Sequence, residues 1–303
     1  MWPGQLGGRG AGTATAFYDL GMTDRERPRP WRREPSARSL LLTVLGEYVL
    51  PSGQPAWTGA LVGALGLLGV AEKAARQALA RTAAEGWMAS SRHGRLAQWE
   101  LTQAGTRLLS DGAKRIYSLG TEDRRWDGRW LVLLTGGPDA GRERRQQLRT
   151  RLTWAGFGAL PGGVWISPDP GREAEASAIL SDLGLAGDCM SFVARYGDVG
   201  EPRDVVSRAW DLGTLREGYE VFIATFAGAE PSGDEAALAA QTTLVHQWRR
   251  FPFLDPRLPV DLLPDEWPGQ QAAAVFRSQH ERWGPAARRC WASLVSRPGA
   301  RCR

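Results

Sequence analysis

The stretch AEKAARQALARTAAEGWMASSRHGRLAQWEL, residues 71–101, decides the fold of the first third of the chain. Its first half has helical periodicity, and Glu85 and Gly86 then end the helix. Its second half alternates between apolar and polar residues on both sides of His93 and Gly94, which indicates a two-stranded hairpin. A helix followed directly by a hairpin is therefore expected.

Apolar periodicity around that stretch predicts three more helices, at residues 39–49, 57–68 and 102–118. Three helices, a hairpin and a closing helix occur in this order in a winged helix-turn-helix domain. We assign this domain to residues 38–120 and expect it to contact DNA.

One face of the third predicted helix is suited to DNA. Lys73, Arg76, Gln77 and Ala80 lie at i, i+3, i+4 and i+7, and Arg81 flanks them. Long donors separated by small residues can reach base edges and phosphates in the major groove. This helix is the predicted reader.

The hairpin tip carries the second set of predicted DNA contacts, Arg92, His93 and Arg95. Residues 38–118 hold nine basic and five acidic residues, a net charge of +4 within a chain of +5, so the basic excess is local. The alternative is a small helical bundle with a hairpin, whose arginines form only a solvated face.

The length of 303 residues allows three domains, and three scattered cysteines without C-x-x-C spacing indicate neither a disulfide framework nor a zinc site. A reducing cytoplasm is the expected location, with no membrane contact and no cofactor or metal. Residues 1–37 are predicted to be a disordered arm. Two interpretations of it stand: an arm that grips DNA, or an artefact of start-site choice, since Met22 precedes the first helix; residues 1–21 are expected to be dispensable.

The middle segment, residues 126–200, alternates strand and helix patterns in the order β-α-β-β-α-β. This order predicts a ferredoxin-like domain. Its two helices would cover one sheet face, which leaves the other face for a second subunit or domain.

Residues 204–297 are predicted to form a helical C-terminal domain for effector binding and dimerisation, with helices at 212–227, 234–251, 270–283 and 285–295. The segment between the second and third of these helices, residues 252–269, contains five prolines and is called the proline-rich joint below. Aromatic and basic residues gather around it, and an apolar cleft with arginines suits a ligand that has a hydrophobic group and phosphates. The predicted effector-binding residues are His246, Trp248, Arg249, Arg250 and Trp267. Ordinary helix packing is the alternative role for the aromatic residues.

Taken together, these motifs resemble the PaaX family, the repressors of phenylacetic acid catabolism. The motifs that carry the resemblance are SLLLTVLGEYV (39–49), RQALARTAAEGWM (76–88), GR (94–95), ELTQAG (100–105), RIY (115–117), WDGRW (126–130), HQWRRF (246–251) and LDPRLPVDLLPDEWPG (254–269). Their order is more specific than any one of them. The sequence is therefore predicted to have an α+β fold: an N-terminal winged helix-turn-helix, a ferredoxin-like middle domain and a helical C-terminal domain.

The resemblance implies a cytoplasmic bacterial transcriptional regulator that binds double-stranded operator DNA as a homodimer and is released by an aryl-CoA, typically phenylacetyl-CoA. The middle domain resembles the fold of the small CRISPR adaptor nucleases. Arg76 and Arg81 match recognition-helix positions of the family, and Gly94 and Arg95 match its wing. Ala75 and Thr82 depart from the larger aliphatic residues usual there, and Leu96 and Ala97 make the wing less polar, which puts operator sequence in doubt.

Two rival functions use the ferredoxin-like domain: a metal-dependent nuclease and an RNA-binding adaptor. Asp127 is the obvious candidate for a catalytic carboxylate, but one carboxylate does not define a metal site. Fixing the turn before Trp130 is the role we expect for it. No basic-aromatic strand typical of RNA-binding sheets is visible. The chain is therefore predicted not to be an enzyme.

Overall fold

The computed structural model describes residues 34–120, 125–136 and 141–296. Most of the predicted N-terminal arm, including residues 1–21, lies outside the described residues. Contacts divide the chain into two units. The described part of unit 1 comprises residues 34–114, 230–246 and 279–296, and that of unit 2 comprises residues 115–120, 125–136, 141–229 and 247–278.

Unit 1 begins with three helices and a hairpin. The bounds are α1 Ala37–Val44, β1 Ala56–Trp57, α2 Thr58–Leu67, α3 Glu72–Ala84, β2 Met88–His93, β3 Leu96–Leu101 and α4 Gln103–Tyr117, whose last turn belongs to unit 2. Helix α1 starts where the Ser36 side chain accepts a hydrogen bond from the Ser39 N–H at 3.2 Å. It continues as a π-helical segment, Leu45–Val49, and a last turn that ends at Gly53, whose φ is 61°. The predicted helix thus runs past Pro51.

The sheet of unit 1 has three antiparallel strands in the order β1-β3-β2. The pairing of His93 with Leu96 leaves Gly94 and Arg95 as a two-residue turn, and Gly94 supplies a φ of 62° that other residues rarely adopt. The predicted hairpin is confirmed. Strand β1 was not predicted: two residues are too few for a visible alternation, and the expected helix 57–68 begins instead at Thr58.

The core of unit 1 joins the N-terminal helices to parts of the C-terminal ones. Leu41, Leu61 and Leu79 from α1, α2 and α3 are fully buried. Trp291 stacks on Tyr48 with 5.5 Å between ring centroids, and it belongs to the same apolar cluster. Residues 230–246 and 279–296 therefore belong to the folding unit of the N-terminal domain.

Unit 2 contains the second sheet. Its elements are β4 Arg129–Thr135, α5 Arg142–Trp154, β5 Gly158–Leu160, β6 Val164–Ser167, α6 Glu173–Asp182 and β7 Cys189–Arg195. The strand order is β5-β6-β4-β7 and every pairing is antiparallel. The predicted β-α-β-β-α-β order is confirmed, and the fold is α+β.

Both faces of this sheet are covered within unit 2. Leu131 and Leu133 of β4 pack on one face with Leu152 of α5 and Leu180 of α6. On the other face, Trp130 and Ile166 pack with Val206, which lies in the helix Pro202–Ala209. Leu258 and Leu262 of the proline-rich joint belong to the same cluster. The expectation of a second subunit or domain on this face agrees with the structure in its second option: residues of the segment 204–297 cover its centre, because the alternate residues of each strand are apolar too.

The remaining helices are α7 Pro202–Ala209, α8 Leu212–Phe226, α9 Asp234–Trp248, α10 Phe251–Leu254 and α11 Gly269–Val295. Their residues are shared between the two units rather than collected in one. The predicted break at Pro285 is wrong, since α11 is continuous through it. Pro285 lies on the exposed side, and burial of Trp283 and Ala287 beside it offsets a proline cost of about 3 kcal/mol. Among the described residues, no helix has the length and apolarity to cross a membrane.

Candidate DNA interface and effector cavity

Helix α3 presents the predicted reading residues on one exposed face. Lys73, Arg76, Gln77 and Arg81 are all exposed. The buried residues of the same helix are Ala75, Ala78, Leu79 and Thr82. The helix therefore docks through small side chains and leaves its long donors in solvent.

Among the exposed side chains of this face, the structure shows an ion pair for Arg76. Its guanidinium lies 2.8 Å from Oε1 of Glu72, one turn earlier, and both side chains are more than half exposed. Exposed pairs at this spacing contribute about 0.3–0.5 kcal/mol. A nucleic-acid phosphate can therefore replace Glu72 at little cost.

The hairpin β2–β3 is fixed to the start of α2 through the middle of β3. The Trp99 indole N–H donates to Oγ1 of Thr58 at 2.8 Å, and that hydroxyl donates to the Ala97 carbonyl at 3.0 Å. At the tip, Arg92, His93 and Arg95 are exposed, and the His93 ring meets Trp57 edge-on at 5.7 Å. The tip residues thus project from an anchored hairpin.

The five predicted effector-binding residues are not brought together around one cavity. The His246 side chain is buried in unit 1, where Nδ1 lies 3.1 Å from Oγ1 of Thr43. Trp248 is fully buried in unit 2 and donates to the Ile116 carbonyl at 3.1 Å. The two residues are two positions apart on α9 and so point to different sides of the helix, where each is buried in a core rather than in the expected cleft.

Trp267 lines a cavity in the proline-rich joint of unit 2. The cavity has a volume of about 380 Å³, within the range of small-molecule sites. Its lining includes Ser118, Arg203, Tyr219, Asp255, Arg257 and Trp267. Arg249 and Arg250 are half-buried and are not among the described residues that line it.

A second cavity of about 530 Å³ shares Arg203, Asp265 and Trp267 with the first. Arg216 lines only the second, and its guanidinium lies 5.5 Å from the centre of a Trp267 ring. Arg203 donates to Oδ1 of Asp265 at 3.0 Å. Trp267 thus forms a wall between two recesses, each with an arginine beside it.

The floor of the first cavity is a polar triad that sequence analysis missed. The Tyr219 hydroxyl donates to Oδ2 of Asp255 at 2.6 Å, and the Arg257 backbone N–H donates to Oδ1 at 2.6 Å. Desolvation raises the pKa of Asp255, although both hydrogen bonds and the Arg257 charge lower it. The only sequence signal was the DPR tripeptide, residues 255–257, within the joint.

Arg257 and Glu266 are the two described non-glycine residues with positive φ, at 56° and 53°. Both line the first cavity. Such backbone conformations disfavour L residues and tend to cluster at functional sites. The joint therefore forms an ordered part of the cavity lining with a strained backbone at these two residues.

Asp127 has the structural role expected of it. Its carboxylate accepts from the backbone N–H of Arg129 at 2.9 Å and from the Arg129 side chain at 2.7 Å. These bonds lower the pKa of Asp127. Within the described ranges, no group of three acidic, His or Cys side chains is placed to hold a metal ion.

Three family models match successive parts of the chain. They are the PaaX-like protein model at residues 36–105, the PaaX protein central Cas2-like domain at 123–206 and the PaaX-like protein C-terminal domain at 210–293. The transcriptional repressor PaaX of Escherichia coli (strain K12) is 33% identical over 263 residues, which is 83% of this chain and 82% of that protein. The uncharacterized protein Rv0674 from Mycobacterium tuberculosis has a similar fold, with a TM-score of 0.58, 24% identity and coverage of 86% of this chain and 98% of that one.

These comparisons define a transcriptional regulator of the repressor class, and the prediction of a non-enzyme is confirmed. The chain belongs to the PaaX family.

Proposed function

We propose that this chain represses transcription by binding duplex operator DNA through α3 and the β2–β3 hairpin. The observation that carries the proposal is the exposed row of Lys73, Arg76, Gln77 and Arg81 opposite the buried small residues of α3. Arg92, His93 and Arg95 at the hairpin tip are proposed to contact the adjacent backbone or minor groove. Three helices with β1 between the first two, and a β2–β3 hairpin that completes a β1-β3-β2 sheet, support a winged helix-turn-helix domain.

The domain boundaries are proposed from the order of the elements along the chain and from the three successive family models, although the contacts group residues 230–246 and 279–296 with unit 1. Residues 38–120 are proposed as the winged-helix domain, 126–200 as the ferredoxin-like domain and 204–297 as the helical C-terminal domain. The strand order β5-β6-β4-β7, with a helix after β4 and another after β6, supports the ferredoxin-like assignment.

The regulated genes are proposed to encode an aromatic-acid catabolic pathway, as in phenylacetic acid degradation. The support is the similarity to the repressor PaaX over most of both chains. A cytoplasmic location follows from this role, since the operator lies in the cytoplasm of a bacterium.

The effector is proposed to be an aryl-CoA such as phenylacetyl-CoA, held in the joint of unit 2. Trp267, which is half-buried in the cavity lining, offers aromatic surface for the aryl group. Arg203 and Arg216 flank Trp267 and are the residues proposed to hold the CoA phosphates. Asp265 holds Arg203 only in an exposed ion pair at 3.0 Å, so a phosphate can displace it at little cost.

The active form is proposed to be a homodimer. One recognition helix reads too few base pairs for operator-level specificity, and a two-fold axis doubles the site. Strand β7 supports a dimer, since it lies at the edge of its sheet and exposes about half of the side-chain surface of Met190, Phe192 and Val193.

The deciding experiment selects a duplex from a randomised library with the full-length protein and compares its affinity with that of an RNA of the same sequence. We expect tight binding to the selected duplex and only weak, salt-sensitive binding to RNA. Equal or tighter binding to RNA would favour the adaptor function, and cleavage of either substrate in the presence of a divalent metal would favour the nuclease.

The effector is tested by calorimetric titration of phenylacetyl-CoA into wild type, Trp267→Ala, Arg203→Gln and Arg249→Ala. We expect weaker binding in the first two variants and unchanged binding in Arg249→Ala, which lies outside the cavity lining. Loss of binding only in Arg249→Ala would place the effector near the end of α9 instead.

A further inference from the structure

The C-terminal end of α4 is capped by side chains from the C-terminal half of unit 2. The Arg115 carbonyl accepts from Nη2 of Arg257 at 3.4 Å, and the Ile116 carbonyl accepts from the Trp248 indole at 3.1 Å. Just beyond the helix, the Gly120 carbonyl accepts from Nη1 of Arg277 at 3.2 Å. The last carbonyls of a helix lack partners within it, and cations there also favour the helix dipole.

Arg257 differs from the other two capping residues because it also lines the effector cavity. Its guanidinium lies 3.3 Å from Oγ of Ser118, and Ser118 and Gly120 line the cavity as well. The segment that directly follows α4 is therefore part of the cavity wall.

The backbone of Arg257 is held in a position that needs support. Its φ of 56° lies in the left-handed region, and its N–H is bound to Asp255, which is bound in turn to Tyr219. Strained residues persist only where their surroundings over-determine them. The bond to Asp255, supported by Tyr219, therefore holds the Arg257 backbone beside the cavity.

The acceptors that Arg257 now has are weak ones. A neutral carbonyl and a hydroxyl at 3.3–3.4 Å bind a guanidinium less strongly than a phosphate or carboxylate does, since charge-assisted pairs are shorter and stronger. An anionic group in the cavity would therefore compete well for it.

We propose that Arg257 is a latch that couples the effector cavity to α4: an anionic group of the bound effector takes its guanidinium and uncaps the helix. This inference rests on the proposed function. Helix α4 begins at Gln103, two residues after the last residue of the hairpin strand β3, so it links the cavity to the proposed DNA-binding domain through continuous chain. Coupling then needs only that the capped end be favoured when DNA is bound.

The test measures affinity for the selected duplex by fluorescence anisotropy, with and without saturating phenylacetyl-CoA. The full-length variants are Arg257→Gln, Arg257→Gly and Arg203→Gln, the last being the matched control. Arg203 lines the same cavity and its described bonds go to Asp261 and Asp265 rather than to α4. Arg257→Gly removes the latch while relieving the positive φ, so it keeps the test valid if Arg257→Gln folds poorly.

In wild type, we expect the effector to weaken duplex binding by about 5–150-fold. Both Arg257 variants should still bind phenylacetyl-CoA but show a coupling of less than about twofold, and amide exchange at residues 115–120 should be fast with or without ligand. Arg203→Gln should need more effector but reach the wild-type coupling.

Wild-type coupling in a folded Arg257 variant would overturn the latch and leave the effector function intact. No effect of phenylacetyl-CoA on wild type would overturn the effector function, and the latch with it.

Discussion

Tyr219 donates a 2.6 Å hydrogen bond to Asp255, and this pair joins helix α8 to the proline-rich joint within unit 2. Tyr219 is itself fully buried and stacks on Phe251 with 4.3 Å between ring centroids. Desolvation raises the pKa of both the phenol and the carboxyl group. The pair therefore makes stability depend on pH in a direction that can be measured.

The difference in stability between the wild type and Asp255→Asn should depend on pH. The folded pKa of Asp255 lies above its ordinary value of 3.8, so its contribution is present below the unfolded pKa and is lost as pH rises through the folded one. Relative to Asp255→Asn, the wild type should gain stability as the pH falls from about 7 towards about 4. Urea unfolding of both proteins across this range measures the difference.

Asp127→Asn provides a comparison of opposite sign. Arg129 lowers the pKa of Asp127, so its contribution is present above the unfolded pKa and is lost as pH falls through the folded one. Asp127 is exposed, so the effect should be small. A flat or inverted trend for Asp255→Asn would contradict the raised pKa.

The reading face of α3 is tested by Arg76→Ala combined with Arg81→Ala. Each arginine that pairs with a base should contribute about 1–3 kcal/mol, so affinity for the selected duplex should fall at least about tenfold. A mobility-shift titration at fixed salt measures this. Arg142→Ala combined with Arg144→Ala removes the same charge from exposed positions of α5; an equal loss there would show that net charge, and not this face, determines binding.

Gly105→Ala should destabilise the winged-helix domain. A Cβ at this position would lie 2.1 Å from the Trp87 carbonyl oxygen and 2.9 Å from its carbon, so backbone must move. We expect a loss of about 1–3 kcal/mol in the free energy of unfolding. Gly66→Ala, at an exposed position of α2 with no atom within 4 Å of the added Cβ, should instead gain about 0.4–1 kcal/mol. Equal effects of the two changes would show that Gly105 is not tightly packed.

The dimer is tested at β7 by Phe192→Asp. Phe192 is 50% exposed on the edge strand, and losing its burial in an interface should cost about 1.5–3 kcal/mol, which raises the dimer dissociation constant at least about tenfold. Analytical ultracentrifugation over a range of concentrations measures it. Val199→Asp, at a residue that is 89% exposed outside the strand, is the control. An unchanged dimer in Phe192→Asp would place the interface elsewhere.

The sequence alone was sufficient to predict the elements whose residue pattern is local. The faces of α3 follow from a 3.6-residue period, and the hairpin tip follows from Gly94 between two alternating segments. Strand β1 and the continuity of α11 through Pro285 escaped this reasoning. A two-residue strand exists only because β3 pairs with it, and a proline is tolerated where neighbouring burial offsets its cost.

The cavity was decided by tertiary structure. The cavity lining combines Ser118 after α4, Arg203 of α7, Tyr219 of α8 and both Arg257 and Trp267 of the joint, which meet only after the joint packs against the sheet and α8. His246, Trp248 and Trp267 looked alike in sequence, as aromatic residues near arginines. Folding buried the first two and left Trp267 in a cavity wall, because burial depends on contacts between distant segments, which no local period encodes.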